Sequence, residues 1–123
     1  CTLFDSRYLA KGLAMLRSLA ATGADYRLHI LDMDGRVGRI LKGEDPERVN
    51  VISLEEFEDD ELRRVKAGRT PVEYCWTCTS SLIHACLRRE SPEICVYVDA
   101  DLFFYRDPAV LVEEMRAAGK RVM

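Results

Sequence analysis

The chain has 123 residues, of which 48% are hydrophobic and 32% are charged. Its length fits one domain that buries roughly two-thirds of the surface exposed by the unfolded chain, and its composition excludes a disordered protein. The 18 basic and 21 acidic residues give a net charge of −3, which argues against broad electrostatic binding to nucleic acid or to an anionic membrane.

The first half of the chain alternates between strand and helix patterns. Short apolar and alternating runs predict three strands, at residues 2–4, 26–31 and 49–52. Leucines at helical spacing predict a first helix that begins after Ser6 as its N-cap and ends at Gly23. Residues 36–48 predict a loop with a short helix, and residues 54–66 predict one or two short helices.

The second half contains a long helix, an apolar strand and a last helix. Residues 72–89 continue an apolar helical face, and residues 94–98 predict a central, buried strand because they form the most apolar short run. A helix is predicted from Asp107, as its N-cap, to about residue 118. Its inward-facing residues are expected to be Val110, Leu111 and Met115. The alternation of strands and helices predicts an α/β fold with a mainly parallel sheet and helices on both faces.

Neither a membrane span nor a signal sequence is recognisable in the sequence. No window reaches the roughly 18 apolar residues of a membrane span, and the first residues lack the basic-then-apolar pattern of a secretory signal. The chain begins at Cys1, and residues 121–123 predict the start of another strand. We therefore expect residues 1–123 to be one domain of a longer protein.

The five cysteines lie at irregular spacing, at positions 1, 75, 78, 86 and 95. An odd number in a chain with a large core does not fit the disulfide framework of a small secreted domain. We therefore predict a reducing, cytoplasmic location. Cys75 and Cys78 leave open a redox pair or half of a zinc site, although packing as small apolar side chains is favoured.

Two carboxylates follow the predicted strand at residues 94–98. Along extended backbone, residues two apart point the same way, so Asp99 and Asp101 are expected to face one point at the carboxyl edge of the sheet. Ligands bind at that edge in open α/β sheets. Carboxylate oxygens with room for water suit Mg²⁺ or Mn²⁺ held together with a substrate phosphate. The alternative is a plain turn that ends the strand.

Other polar and aromatic residues are interpreted as structural. Asp32 and Asp34 form a second Asp-x-Asp, which the following glycine marks as a turn. His29 and His84 are expected to be structural or exposed rather than catalytic. Trp76 is interpreted as a core aromatic in preference to the wall of a nucleotide pocket.

Three segments resemble GT-A glycosyltransferases of the glycogenin-like kind, which use nucleotide sugars. Residues 2–14 (TLFDSRYLAKGLA) resemble the first strand, polar turn and Lys-Gly helix of that family. Residues 73–78 (EYCWTC) resemble the helix that leads toward the family's Asp-x-Asp strand, and residues 98–102 (VDADL) resemble the metal-binding motif. The three matches follow the family's order and cover most of the chain.

The resemblance implies a Rossmann-like, GT-A type domain that forms the N-terminal, nucleotide-sugar-binding part of a longer glycosyltransferase. It implies that Asp99 and Asp101 hold Mn²⁺ or Mg²⁺ against the donor diphosphate, and that Asp99 also approaches the ribose. Some members of that family carry a basic residue on the segment that leads into the helix before the Asp-x-Asp strand. Arg69 is the nearest candidate for that substrate-binding position. The residues near the base and ribose would be Phe4, Asp5 and Tyr8.

The implied activity is metal-dependent transfer of a sugar from a nucleoside diphosphate, most often UDP, to an acceptor hydroxyl. The sequence identifies neither the acceptor nor a catalytic residue. The alternative is a non-catalytic module that binds a nucleotide or another protein chain, with self-association through an exposed sheet edge. The absence of Gly-x-Gly-x-x-Gly and Walker motifs argues against a dehydrogenase or a P-loop nucleotidase.

Overall fold

The computed structural model describes residues 1–120 as an α/β fold built on one parallel sheet. The strands are β1 (Thr2–Phe4), β2 (Leu28–Asp32) and β3 (Val49–Ser53), in the order β1-β2-β3. The helices are α1 (Leu9–Ala21), α2 (Val37–Ile40), α3 (Leu54–Phe57), α4 (Asp60–Lys66), α5 (Pro71–Glu90) and α6 (Ala109–Ala117). The predicted α/β class and parallel pairing are confirmed, whereas the strand predicted from residues 121–123 lies outside the described residues.

Side chains of the sheet alternate between two apolar clusters, one on each face. Ile30 lies beside Thr2 on one side and Val51 on the other, so the three strands share one register. One face packs against α1 and α2 through residues that include Phe4, Met15, Ile30 and Val37. The opposite face packs against α5 through Leu3, Leu31, Ile52, Cys78 and Leu82. Helices therefore cover both faces.

Helix α1 lies close to β1 because Gly12 leaves room for an aromatic ring. A Cβ atom at Gly12 would stand 2.5 Å from Cζ of Phe4, which is closer than carbon atoms approach. Gly23 then ends the helix region with a φ of +74°, a conformation that favours glycine. The glycine predicted to stop this helix is thus confirmed.

Side-chain caps fix the start of the 3₁₀ turn before α1 and the start of α5. A 3₁₀ turn at Ser6–Tyr8 precedes α1, and its cap is Asp5 rather than the predicted Ser6, because the Arg7 N–H donates to Asp5 Oδ1 at 3.0 Å. At the start of α5, Thr70 Oγ1 accepts from the Glu73 N–H, and the Glu73 carboxylate accepts from the Thr70 N–H at 2.8 Å. This capping box fixes the entry into the longest helix.

The prediction that residues 94–98 form a central, buried strand is wrong. This stretch is extended but runs along the outer edge of β1, where the Cys1 nitrogen donates to the Val96 carbonyl at 2.6 Å and the Val98 N–H donates to the Cys1 carbonyl at 3.0 Å. These two bonds flank Tyr97 in the pattern of a parallel pair. The central strand is β2, whose five residues are all buried because strands lie on both sides of it.

Helix α6 forms where the sequence predicts a helix, but it packs differently. Its N-cap is Pro108 and not the predicted Asp107, although Asp107 accepts from the Ala109 N–H at 2.8 Å just before the helix. The prediction that Val110 and Leu111 face inward is wrong, because both are about half exposed, and no residue of this helix is fully buried. Met115 is half-buried. Between residues 1 and 120, none of the helices combines the length and apolarity that crossing a membrane requires.

Candidate functional site

A cavity of about 720 Å³ opens at the carboxyl end of the sheet. The ends of all three strands contribute to it, together with the start of α5 and the turn that follows residue 98. The structure brings together there all six residues assigned to the site from the sequence. They are Phe4, Asp5, Tyr8, Arg69, Asp99 and Asp101.

The two aspartates after residue 98 lie on a turn and not on the extended backbone that the sequence predicts. The Leu102 N–H donates to the Asp99 carbonyl at 3.2 Å, which closes the turn. Ala100 is 6% exposed and packs into the apolar cluster beside α1, so both neighbouring carboxylates stay on the surface and line the cavity. Beyond the turn, the Phe104 N–H donates to Ser18 Oγ of α1 at 3.0 Å.

Lys11 connects two of these residues, although its sequence pattern alone does not mark it as a site residue. Its Nζ lies 3.5 Å from Oδ2 of Asp101 and 4.6 Å from the centre of the Tyr8 ring. The lysine precedes Gly12 in the Lys-Gly pair of α1, and Gly12 holds this part of the helix against the Phe4 ring. The position of Lys11 in the Lys-Gly pair was the sequence signal that, together with this packing, could have identified it as a site residue.

Asp5 lines the cavity with its carboxylate already engaged. Besides capping the 3₁₀ turn, it accepts from Nε and Nη2 of Arg7 at 2.8 and 2.6 Å. These bonds from the carboxylate raise the pKa of the Arg7 guanidinium above its usual value. Asp5 therefore orients Arg7 at the cavity wall, in addition to any contact with a ligand.

The second Asp-x-Asp divides into a structural and a cavity-lining carboxylate. Buried Asp32 accepts backbone hydrogen bonds from Asp34, Gly35 and Gly38, which confirms the predicted turn. Asp34 lines the cavity and accepts from the Ser6 hydroxyl at 2.5 Å. Burial acts to raise the pKa of Asp34, but the hydrogen bonds from Ser6 outweigh it and the pKa is lowered.

Trp76 is an exposed wall of the cavity, so the prediction of a core tryptophan is wrong. The side chain is 70% exposed. The buried residues of α5 recur every four positions, from Tyr74 through Cys78 and Leu82 to Cys86. A residue two positions after Tyr74 is turned about 200° around the helix and faces away from the core. Beside it, the Arg69 guanidinium donates to the Thr77 hydroxyl.

The surroundings of the Cys-x-x-Cys pair disfavour a reactive thiol. Burial raises the pKa of Cys75, and burial raises the pKa of Cys78 to about 11. Reactive cysteines have a lowered pKa, so these two fit the interpretation as packing residues better than the redox alternative. The histidines lie away from the cavity, since His29 is buried beside Asn50 and His84 is exposed on α5.

The cavity combines acidic and basic groups along one opening. Asp34, Asp99 and Asp101 bring carboxylates, whereas Arg7 and Arg69 bring guanidinium groups. A surface of this kind suits a ligand that carries both a metal cation and phosphate groups, because carboxylates bind the cation and guanidinium forks bind the phosphates.

Comparison with known proteins finds two similar chains, both from Bacillus subtilis (strain 168). The chain is 33% identical to the uncharacterized protein YfnD over 119 residues, which are 96% of this chain and 38% of YfnD. It is 32% identical to the uncharacterized protein YfnF over 115 residues, which are 92% of this chain and 38% of YfnF. The chain therefore spans well under half the length of these relatives. No family model matches it, and no solved structure matches it.

Proposed function

We propose that this chain is the nucleotide-sugar-binding part of a metal-dependent glycosyltransferase with a Rossmann-like, GT-A type fold. One observation carries the proposal: the six residues that the resemblance assigns to the donor site line a single cavity at the carboxyl end of a parallel sheet. They come from stretches of sequence as far apart as residues 4–8 and 99–101. The position also agrees with the general rule that open α/β sheets bind ligands at this edge.

Asp99 and Asp101 fit a Mn²⁺ or Mg²⁺ ion. Both carboxylates are exposed on one turn, and one or two carboxylates plus phosphate oxygens and water are the usual ligands of such ions. Among residues 1–120, no third histidine, cysteine or carboxylate joins this pair into a larger cluster, so the diphosphate and water would supply the other ligands. When bound, the cation neutralises negative charge that builds on the departing diphosphate.

The chain's own residues account for the rest of the donor. Arg69 offers a planar, permanently charged guanidinium to the diphosphate, and Arg7 offers the N–H groups that its bonds to Asp5 leave free. The exposed rings of Tyr8 and Trp76 offer faces on which a base stacks. Lys11, between Asp101 and Tyr8, neutralises the negative charge of the Asp101 carboxylate in the absence of a ligand. These roles hold and orient the donor, whereas acceptor binding and the choice of sugar are left to other groups.

Titration calorimetry with UDP, in the presence and absence of Mn²⁺, tests this proposal. We expect binding that requires Mn²⁺ and that disappears in the double variant Asp99→Asn/Asp101→Asn. The matched control is Asp25→Asn, which neutralises an exposed aspartate of the loop before β2, at the opposite end of the sheet. Circular dichroism of each variant checks that it is folded.

Two results contradict the proposal. One is a folded wild-type chain that binds no UDP in either condition. The other is a double variant that binds UDP and Mn²⁺ as the wild type does. That result would mean that the two aspartates only form a turn and do not bind the metal.

The alternative function, a non-catalytic binding module, draws support from exposed apolar side chains near the cavity. Leu102, Phe103 and Tyr105 are all exposed, and such patches are typical of protein interfaces. Mn²⁺-dependent release of free sugar from a UDP-sugar distinguishes the two functions. Release supports the transferase, whereas UDP binding without release supports the module.

A further inference from the structure

Three cysteines from distant parts of the sequence meet at the end of the sheet opposite the cavity. Cys1 precedes β1, Cys86 lies near the end of α5, and Cys95 belongs to the extended stretch beside β1. Their side chains form one group in which the sulfur atoms all lie within 4.8 Å of one another. The proposed donor site does not use any of them.

The spacing of the sulfur atoms suits a shared metal ion. Sγ of Cys1 lies 3.9 Å from Sγ of Cys95. Two thiolates bound to one Zn²⁺ at about 2.3 Å stand roughly 3.8 Å apart in tetrahedral geometry. The observed separation therefore leaves room for a cation between the thiols with little movement of the backbone.

The surroundings of the group favour a soft cation over a hard one. Cys86 is buried, and it packs in the apolar cluster between the sheet and α5 together with Cys1 and Cys95. Cys1 and Cys95 are half-buried, which leaves one side open to solvent. Thiolate ligands in an apolar setting select zinc-like ions over Mg²⁺, Mn²⁺ or Ca²⁺.

The group offers three protein ligands, and thiols release their protons when they bind a metal ion. No fourth histidine, cysteine or carboxylate joins the group within residues 1–120. Water would complete a tetrahedral set of ligands.

We propose that Cys1, Cys86 and Cys95 form a binding site for a thiophilic divalent cation of the Zn²⁺ type. The thiols bind as thiolates and release their protons to solvent, with no change in oxidation state. The cation joins the amino end of β1, the last turns of α5 and the stretch that leads to Asp99. Its role is structural, because it ties an edge stretch to the core.

Metal titration of the reduced, chelator-treated protein tests this proposal. The protein is expressed with a short tag that stays attached before Cys1, so that the Cys1 nitrogen is an amide and does not compete with the thiols for metal. Co²⁺ reports thiolate ligands through its charge-transfer absorption, and Zn²⁺ affinity is measured by competition with a chromophoric chelator. We expect one equivalent of metal and a thiolate band.

Cys86→Ser and Cys95→Ser are expected to lose the band. Each should weaken Zn²⁺ binding by more than the roughly 10–100-fold that loss of an outer-shell partner causes. The matched control is Cys78→Ala, which removes another buried thiol of α5 outside the group and should bind Zn²⁺ as the wild type does. If Cys86→Ser does not fold, the Zn²⁺ affinity of Cys95→Ser decides the outcome, because Cys95 is only half-buried.

Three results overturn the proposal. They are a folded, reduced wild type without a thiolate band, equal Zn²⁺ affinity in the wild type and Cys95→Ser, and thiols that pair as a disulfide but bind no metal after reduction. The Asp99→Asn/Asp101→Asn variant should keep its thiolate band. Failure of this proposal is therefore distinguishable from failure of the donor site.

Discussion

The first 90 residues bury most of their large apolar side chains, whereas the stretch from residue 94 to residue 119 leaves many of its own exposed. In the first region, the sheet, α1 and α5 bury theirs in two clusters, one on each face. In the second region, large apolar side chains remain exposed at Val96, Leu102, Phe103, Tyr105, Val110 and Leu111. An apolar pattern therefore predicts a helix or an extended stretch without specifying which element covers it.

Truncation of Ile30 should give the largest effect and sharpen this contrast. Ile30 is 1% exposed at the centre of β2. Ile30→Ala leaves a cavity between strands and helix, and it should lower the free energy of unfolding by about 2–5 kcal/mol. Urea denaturation followed by circular dichroism measures this. A loss below that range would mean that the first region is less tightly packed than the two clusters indicate.

Gly12→Ala should give the next largest effect. The added methyl group collides with the buried Phe4 ring, and overpacking of this kind lowers the free energy of unfolding by about 1–3 kcal/mol. The control is Gly68→Ala, where a Cβ meets nothing closer than 3.9 Å. The same urea titration compares the two, and equal stabilities would show that Phe4 moves aside freely.

Glu58→Gln tests a pair of hydrogen bonds that connects two helices of the first region. Glu58 Oε1 accepts from Lys66 Nζ at 2.6 Å and from the Tyr74 hydroxyl at 2.7 Å, so it joins α4 to α5. Burial acts to raise the pKa of Glu58, but the bonds from Lys66 and Tyr74 outweigh it and the pKa is lowered. The variant should lose about 1–2 kcal/mol at pH 7, where the carboxylate is charged.

This contribution should fade in acid. Because the folded pKa of Glu58 lies below the unfolded value of 4.5, the stabilisation is complete above that pH and is lost as the pH falls below it toward the folded pKa. Urea denaturation of both proteins between pH 7 and pH 3 should show the two stabilities converging. A difference that stays constant with pH would point to packing and not charge.

Leu111→Ala should give the smallest effect. The side chain is 50% exposed on α6, so its loss should change the free energy of unfolding by less than about 0.5 kcal/mol. The result to compare is that of Ile30→Ala under the same conditions. Similar losses in the two variants would break the comparison between the regions.

Local sequence patterns predicted well where the helices lie along the chain, but predicted poorly which elements pack against one another. Helical periodicity placed α1, α5 and α6, and a glycine placed the end of α1, because those signals act within a few residues. The apolarity of residues 94–98 suggested a central strand, but centrality depends on which strands lie alongside, and β2 has that position.

In the candidate site too, local motifs identified some features, whereas others depend on how the chain packs. The motifs named six residues that share one cavity, whereas the exposure of Trp76 and the contact between Lys11 and Asp101 depend on tertiary packing. Trp76 was misjudged because tryptophans are usually buried. The phase of α5 around Tyr74 and Cys78 is the information that corrects it.

The turn that carries Asp99 and Asp101 is fixed on both sides and in its middle. Val98 is bonded to Cys1, Ala100 is buried among the apolar side chains, and the Phe104 N–H is bonded to Ser18. So short a loop between fixed ends retains little conformational entropy, since closure entropy grows with loop length. A ligand that binds the two carboxylates therefore finds them preorganised, and little of its binding free energy is spent on ordering the backbone.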